Sequence, residues 1–365
     1  MITKHDLLPP SSANPRNSEG SMVRLKSGEI LFAYTHFTGG KTDAAASHIA
    51  LRRSKDGGKS WSTADEILVE NEAKINTMSV SLLRLKSGDI LLGYLTRETH
   101  QDMPFYVRRS RDEGMTWSDR LMATSPVSQD EKYFIVNNER MIQISAGRII
   151  VPAAFHPKGT ERGRIIVFYS DDNGYEWKRS RSILDTPDPE DLWTGLQEPG
   201  VVELKDGKLL MWMRTELGSQ LYSYSNDKGE TWSKPVPSFL LAPCSPASIK
   251  RIPSTGDLLA VYNELSTRYM HIRKNTKNNH LTWIGERTPL IAAISKDEGM
   301  TWQNRLVLED DPEGWFCYTS VLFEGDSVIL SYAAEKQRNK PESVWGNMRI
   351  TILDLKEIYD KVVTK

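Results

Sequence analysis

The chain has 365 residues, with 47 basic and 48 acidic residues interspersed along its length and a formal net charge of −1. That balance leaves no basic block of the kind that coats nucleic acid or an anionic membrane, although a few pocket arginines could still hold a small anion. Cys244 and Cys317 are too few for a disulfide framework and lack zinc spacing, so they read as two reduced, packed thiols; no metal or cofactor is expected.

The opening stretch MITKHDLLPPSSANPRNSEG has no apolar core of a signal peptide. No run reaches the ~20 apolar residues of a membrane helix, so the expectation is a cytoplasmic protein without a membrane role. From residue 24 the chain repeats itself. RLKSGEILFAYT (24–35), RLKSGDILLGYLT (84–96), MIQISAGRIIVPAAF (141–155), VELKDGKLLMWMR (202–214), IKRIPSTGDLLAVYNE (249–264) and VLFEGDSVILSYAAE (321–335) are each a strand, a glycine turn and a second apolar strand. Alternation and turn chemistry make each a β-hairpin. Their turn glycines, Gly28, Gly88, Gly147, Gly207, Gly256 and Gly325, fall 49 to 69 residues apart, room for four short strands per unit.

A second repeat interleaves with the first: SKDGGKSW (54–61), SRDEGMTW (110–117), SDDNGYEW (170–177), SNDKGETW (225–232) and SKDEGMTW (295–302). Every copy fits Ser-x-Asp-x-Gly-x-x-Trp. Such a box suits a turn between outer strands: Ser and Asp oxygens accept from turn N–H groups, Gly supplies a positive φ, and Trp fills the gap between neighbouring turns. One fixed carboxylate per box is far short of the six to eight oxygens calcium takes, so the boxes speak for fold rather than reaction. The fold class is therefore all-β: a six-bladed β-propeller with five box turns, as one domain over 1–365. LDLKEIYDKVVTK supplies one short C-terminal helix.

This box is the Asp-box repeat, and six blades bearing it resemble the sialidase (neuraminidase) superfamily over the whole chain. The resemblance implies three arginines gripping a sugar carboxylate, a tyrosine nucleophile beside a glutamate, and an aspartate acid/base on a mobile loop. Matched by position, the arginines are Arg16, just ahead of the first hairpin; Arg214, at the end of the strand that follows Val-Val-Glu-Leu; and Arg287, ahead of the last box. Arg24 is the fallback for the first, and Arg268 or Arg273 for the third. The glutamate is Glu198 in LQEPGVVEL, the tyrosine is Tyr318 in GWFCYTSVLF, and the aspartate is Asp43 behind the Gly39–Gly40 pair. Glu19 would orient Arg16. His36 stands where many members carry an auxiliary arginine, Met78 where some contact the ring substituents, and Arg140 opens the third hairpin toward the pocket. Trp193 and His156 would shape the leaving-group side. The family usually writes Arg-Ile-Pro at the first arginine; this chain writes Arg16-Asn17-Ser18.

The chemistry wants these residue types. An arginine fork matches a planar carboxylate and stays charged at any working pH. Three converging arginines, with no acid between them, make sense only around an anion. A phenol approaches an anionic anomeric centre without the repulsion a carboxylate would meet, but with a pKa of ~10 it needs a base, here Glu198. The expected activity is an exo-acting, retaining glycosidase for a terminal sialic acid or related acidic sugar. A same-fold glycosidase for a different acidic sugar, or a non-catalytic glycan-binding propeller, are the alternatives. The partner is an acidic glycan or sialoside, with no nucleic acid; sequence leaves the oligomeric state open.

Overall fold

The computed structural model describes the chain apart from residues 1, 126, 129–130, 158, 161, 188–193, 266–272, 275–280, 283–286, 337–345 and 362–365. Six sheets, antiparallel but for one parallel pair in blade three, follow one another in sequence. The first blade runs Arg16–Arg24, Ile30–Phe37, Ser47–Ser54 and Glu66–Val69, paired in that order. The second is Asn76–Arg84, Ile90–Arg97, Phe105–Ser110 and Leu121–Met122; the fourth and fifth begin at Gln197–Glu203 and Ser248–Arg251 and repeat the pattern. Blade three adds strands: Lys132–Ile135 pairs with Ile149–Phe155, and Asp102–Met103 joins it in parallel.

Blade six is assembled from both ends of the chain. Its first three strands are Gly314–Glu324, Ser327–Lys336 and Met348–Asp354, and its outer strand is Ile2–Leu8, antiparallel to Met348–Asp354. Asp6 receives Arg349 Nε at 2.7 Å across this seam. The arrangement explains why six blades carry five boxes. The box is the turn between a blade's third and fourth strands, and in blade six those strands come from opposite ends of the chain. The helix that follows Met348–Asp354, Leu355–Tyr359, is five residues long.

The boxes fold as their letters require. In the first, the Ser54 hydroxyl and the backbone N–H and hydroxyl of Ser60 all donate to Asp56, Gly58 N–H donates to Ser54 Oγ at 2.8 Å, and Trp61 Nε1 reaches the Gly58 carbonyl. Gly58 has φ 84°, and its four counterparts lie between 84° and 94°. These donors hold the carboxyls of Asp56 and Asp112 down to about 2. Between blades the facing strands bury apolar seams, such as Val23, Leu31 and Leu51 against Val80, Leu82 and Tyr94.

Around the axis, the innermost strands share one irregularity. The pairing slips between Ser18 and Ser21, Met78 and Ser81, Gln197 and Gly200, and Cys317 and Ser320. At each slip the next residue takes a left-handed backbone: Glu19 (φ 56°), Ser79 (58°), Glu198 (43°) and Tyr318 (58°); Glu139 (57°) does so ahead of the short inner strand of blade three. Such bulges re-aim a side chain at a cost of about 1–3 kcal/mol each, which the surrounding sheets must sustain.

Candidate active site

The bulges bring the site together. The Tyr318 hydroxyl donates to Glu198 Oε1 at 3.1 Å, joining blades six and four. Glu198 Oε2 lies 2.9 Å from Arg214 Nη1. Arg287, 5% exposed, stacks its guanidinium over the rings of Trp315 (4.8 Å) and Tyr318 (5.2 Å). Burial raises the Glu198 carboxyl, but the Arg214 and Arg287 charges outweigh it, and the net shift is downward. Burial, reinforced by the Glu198 charge, pushes the Tyr318 phenol well above its ordinary value. At neutral pH, then, Glu198 is ionised and Tyr318 holds its proton.

Neighbouring blades fix the backbone beneath this pair. Asn138 Nδ2 donates to the carbonyls of Gly20 (2.7 Å) and Tyr318 (3.2 Å), tying blade three to blades one and six. Glu139 accepts from the Ser320 hydroxyl and the Val321 N–H and pairs with Lys250 at 2.9 Å. Arg140, 4% exposed, gives Nη2 to the Ala247 carbonyl and faces the Trp212 ring; burial lowers its pKa to about 10. Gly200 has a steric reason: a Cβ there would stand 2.1 Å from the Trp212 ring.

The blade-one group lies alongside. Arg16 is 1% exposed, rests over Phe37 at 4.2 Å, and pairs through Nη1 with Asp43 Oδ1 at 2.6 Å. Glu19 Oε2 accepts the Ser79 hydroxyl at 2.7 Å. Burial raises the Glu19 carboxyl to about 7, opposed by Arg16 and aided by Asp43 and Glu198. Arg97 Nη1 donates to the Asp43 carbonyl oxygen at 2.8 Å and faces Tyr133, whose ring meets His156; His156 in turn approaches Gln197, the neighbour of Glu198. The strand-end Arg97 and Tyr133 escaped the sequence reading, because nothing in their local pattern separates them from ordinary strand residues.

Several expectations need correcting. The arginines do not converge without acids: Asp43 lies on Arg16 and Glu198 on Arg214, because buried guanidiniums without an anion would be too costly. His36 does not join the group. Strand alternation gives Phe37 the Arg16 side, so His36 points the other way, to Asp65 Oδ2 at 3.3 Å and a stack on His48. Met78 is 6% exposed within an apolar cluster with Phe37, Met103 and Phe155, a core residue. Arg24 is half-exposed and pairs with Glu324. Trp193, Arg268 and the side chain of Arg273 lie outside the described residues. The bulge residues had a readable signal after all: each stands seven to nine residues before its hairpin glycine, and in four of the five a Ser or Gly follows two places on.

Fold and site together define an Asp-box propeller with arginine-paired carboxyls and a tyrosine–glutamate couple at its axis. Residues 28–330 match the BNR repeat-like domain, and the chain belongs to that family, within the sialidase superfamily. It is 26% identical over 242 residues to a sialidase of Bacteroides fragilis (strain YCH46), a match covering 63% of this chain and 41% of that protein. A sialidase of Clostridium perfringens is 25% identical over 282 residues, 69% of this chain and 71% of the relative. The match thus spans well under half of the Bacteroides protein's length. Among solved structures, the Hadza microbial sialidase Hz136 aligns with 97% of this chain and 69% of its own, at a TM-score of 0.75 and 18% identity, a likeness of fold. Among the described residues, no group of three or more His, Cys, Asp or Glu is placed to hold a metal ion, and no helix is long and apolar enough to cross a membrane.

Proposed function

We propose that this chain is an exo-acting, retaining glycoside hydrolase that removes a terminal sialic acid or a related acidic sugar. The observation that carries the reading is the Tyr318 hydroxyl held on Glu198, with Arg214 and Arg287 packed against the pair. The substrate carboxylate would bind Arg214 and Arg287 and compete with Asp43 for Arg16. Tyr318 attacks the anomeric carbon as its proton passes to Glu198, giving a tyrosyl–sugar intermediate. Water then displaces Tyr318 from the opposite face, the one the leaving group vacated, and the two inversions retain configuration. A carboxyl of blade one protonates the leaving oxygen; the family resemblance implies Asp43 for that task.

Release of 4-methylumbelliferone from its N-acetylneuraminic acid glycoside tests this, with wild type beside Tyr318→Phe. Turnover lost in the variant supports the reading; a folded wild type without turnover removes N-acetylneuraminic acid as substrate. A different acidic sugar is the second reading, favoured by His36 facing away from Arg16 toward Asp65. A panel of other ulosonates and uronides separates the two.

A further inference from the structure

Arg140 differs from other buried arginines of the chain. Arg16, Arg109 and Arg148 are also buried, and each rests on a carboxylate, Asp43, Asp89 and Asp171. Arg140 is 4% exposed and makes no ion pair among the described residues. Its Nη2 reaches the Ala247 carbonyl at 2.8 Å and its guanidinium faces the Trp212 ring at 5.7 Å. Its Nε is buried and has no hydrogen-bond partner among the described residues.

The carboxylate beside it in sequence is engaged elsewhere. Glu139 accepts from the Ser320 hydroxyl at 2.8 Å, the Val321 N–H at 2.7 Å and Lys250 Nζ at 2.9 Å. Lys250 also donates to the Val321 carbonyl at 2.8 Å, which leaves one of its three N–H groups. Glu139 thus cancels the charge of Lys250, and the charge of Arg140 is left over. Burial lowers Arg140 only to about 10, so it stays protonated at neutral pH. A charge taken out of water calls for an opposite one in contact with it.

Arg140, Lys250 and Trp212 line one cavity, reached from blades three, four and five. Its volume is about 20 Å³. A single water needs ~10–15 Å³, so the cavity takes one small particle and is too tight for a sulfate or phosphate.

We propose that this cavity binds one monatomic anion of the halide class, chloride being the common one, between the Arg140 Nε–H and the third N–H of Lys250. A water molecule answers a free donor but leaves the charge unmatched; a halide answers both. The anion completes the group through which blade three holds blades five and six near the axis, so its effect falls on the stability of the closed ring. The inference stands apart from the glycosidase reading and does not need it.

The test uses the whole chain. Crystals grown with bromide in place of chloride, measured at the bromine absorption edge, should show an anomalous peak between Arg140 and Lys250. A feature there without anomalous signal is water and overturns the proposal, as does bromide found on the outer surface alone. In solution, chloride in place of gluconate at equal ionic strength should raise the Tm of wild type by a few degrees and then saturate, because gluconate is too large for the cavity. Arg140→Gln removes the charge while keeping an amide donor for Ala247, and should lose that dependence. An equal rise in both proteins assigns the effect to bulk salt and overturns the site. The diffraction experiment needs only wild type, so the proposal stays open to refutation even if the variant fails to fold.

Discussion

Glu198 touches Tyr318 with one oxygen, at 3.1 Å, and Arg214 with the other, at 2.9 Å. The same carboxylate thus sets the proton path of the phenol and the position of a guanidinium. Three blades' worth of geometry passes through it, since Arg287 from the loop ahead of the fifth blade's third strand stacks on the Tyr318 ring.

Removing the phenol oxygen should therefore leave binding and abolish chemistry. Tyr318→Phe is expected to lower kcat by about 10³-fold or more, the scale seen when a nucleophile is deleted, with KM little changed. Steady-state kinetics on an aryl sialoside reads this, and near-ultraviolet circular dichroism checks that the axis is still packed. A rise in KM with kcat intact would assign Tyr318 to binding.

Arg214→Met strips Glu198 of its closest counter-charge in a buried setting. The expected cost is about 3 kcal/mol in a denaturant titration at pH 7, since one partner of a buried pair is left behind. The pH dependence has a definite sign. The Glu198 carboxyl is held below the ordinary range in the folded chain, so its contribution to stability is present at neutral pH and is lost as pH falls through that range. In the variant that acid-side loss should shrink.

Glu19 behaves in the opposite sense. Its carboxyl is raised to about 7, so its protonated form supports the fold fully below the ordinary glutamate range, and that support is lost as pH rises through 7. The change amounts to about 3 kcal/mol at most. Glu19→Gln should match wild type near pH 5 and be the more stable of the two near pH 8. Thermal unfolding across that range checks it; parallel curves would mean that Glu19 is ionised throughout.

Asn138→Ala removes two donors at once and leaves the carbonyls of Gly20 and Tyr318 without them. A loss of about 1–3 kcal/mol is expected. Because one of those carbonyls belongs to Tyr318, kcat should fall as well. Asn138→Asp, isosteric but without the amide N–H groups, should fail to restore either quantity.

The fold could be read from the sequence because each blade repeats local chemistry: a glycine hairpin and a Ser-x-Asp box need only a few neighbouring residues to form. The blade-six seam could not, because Ile2–Leu8 carries no box and its partner strand lies at the far end of the chain. Glu198, Tyr318 and Arg214 were assigned through the sialidase resemblance, matched by position relative to the repeats. Which side His36 faces was not, since a single place along a strand decides it, and Phe37 takes the Arg16 side. The acid–guanidinium pairs and the Asn138 and Glu139 ties were beyond local pattern. They join residues from different blades and exist only once the ring has closed.

That closure has a consequence in time. Asp6 and Arg349, which meet across the seam, are 343 residues apart in the chain. A ribosome therefore releases Ile2–Leu8 long before the strand it must join, and Tyr318 belongs to the blade that is finished last. A nascent chain carries Arg16, Glu19 and Glu198 before Tyr318 exists to meet them, so the Tyr318–Glu198 contact must wait for the last blade. Moving the chain's breakpoint to the Asp-box turn of another blade, by circular permutation, would shift the seam away from Tyr318. Refolding rate and recovery of activity, which share one late event in the natural order, would then separate.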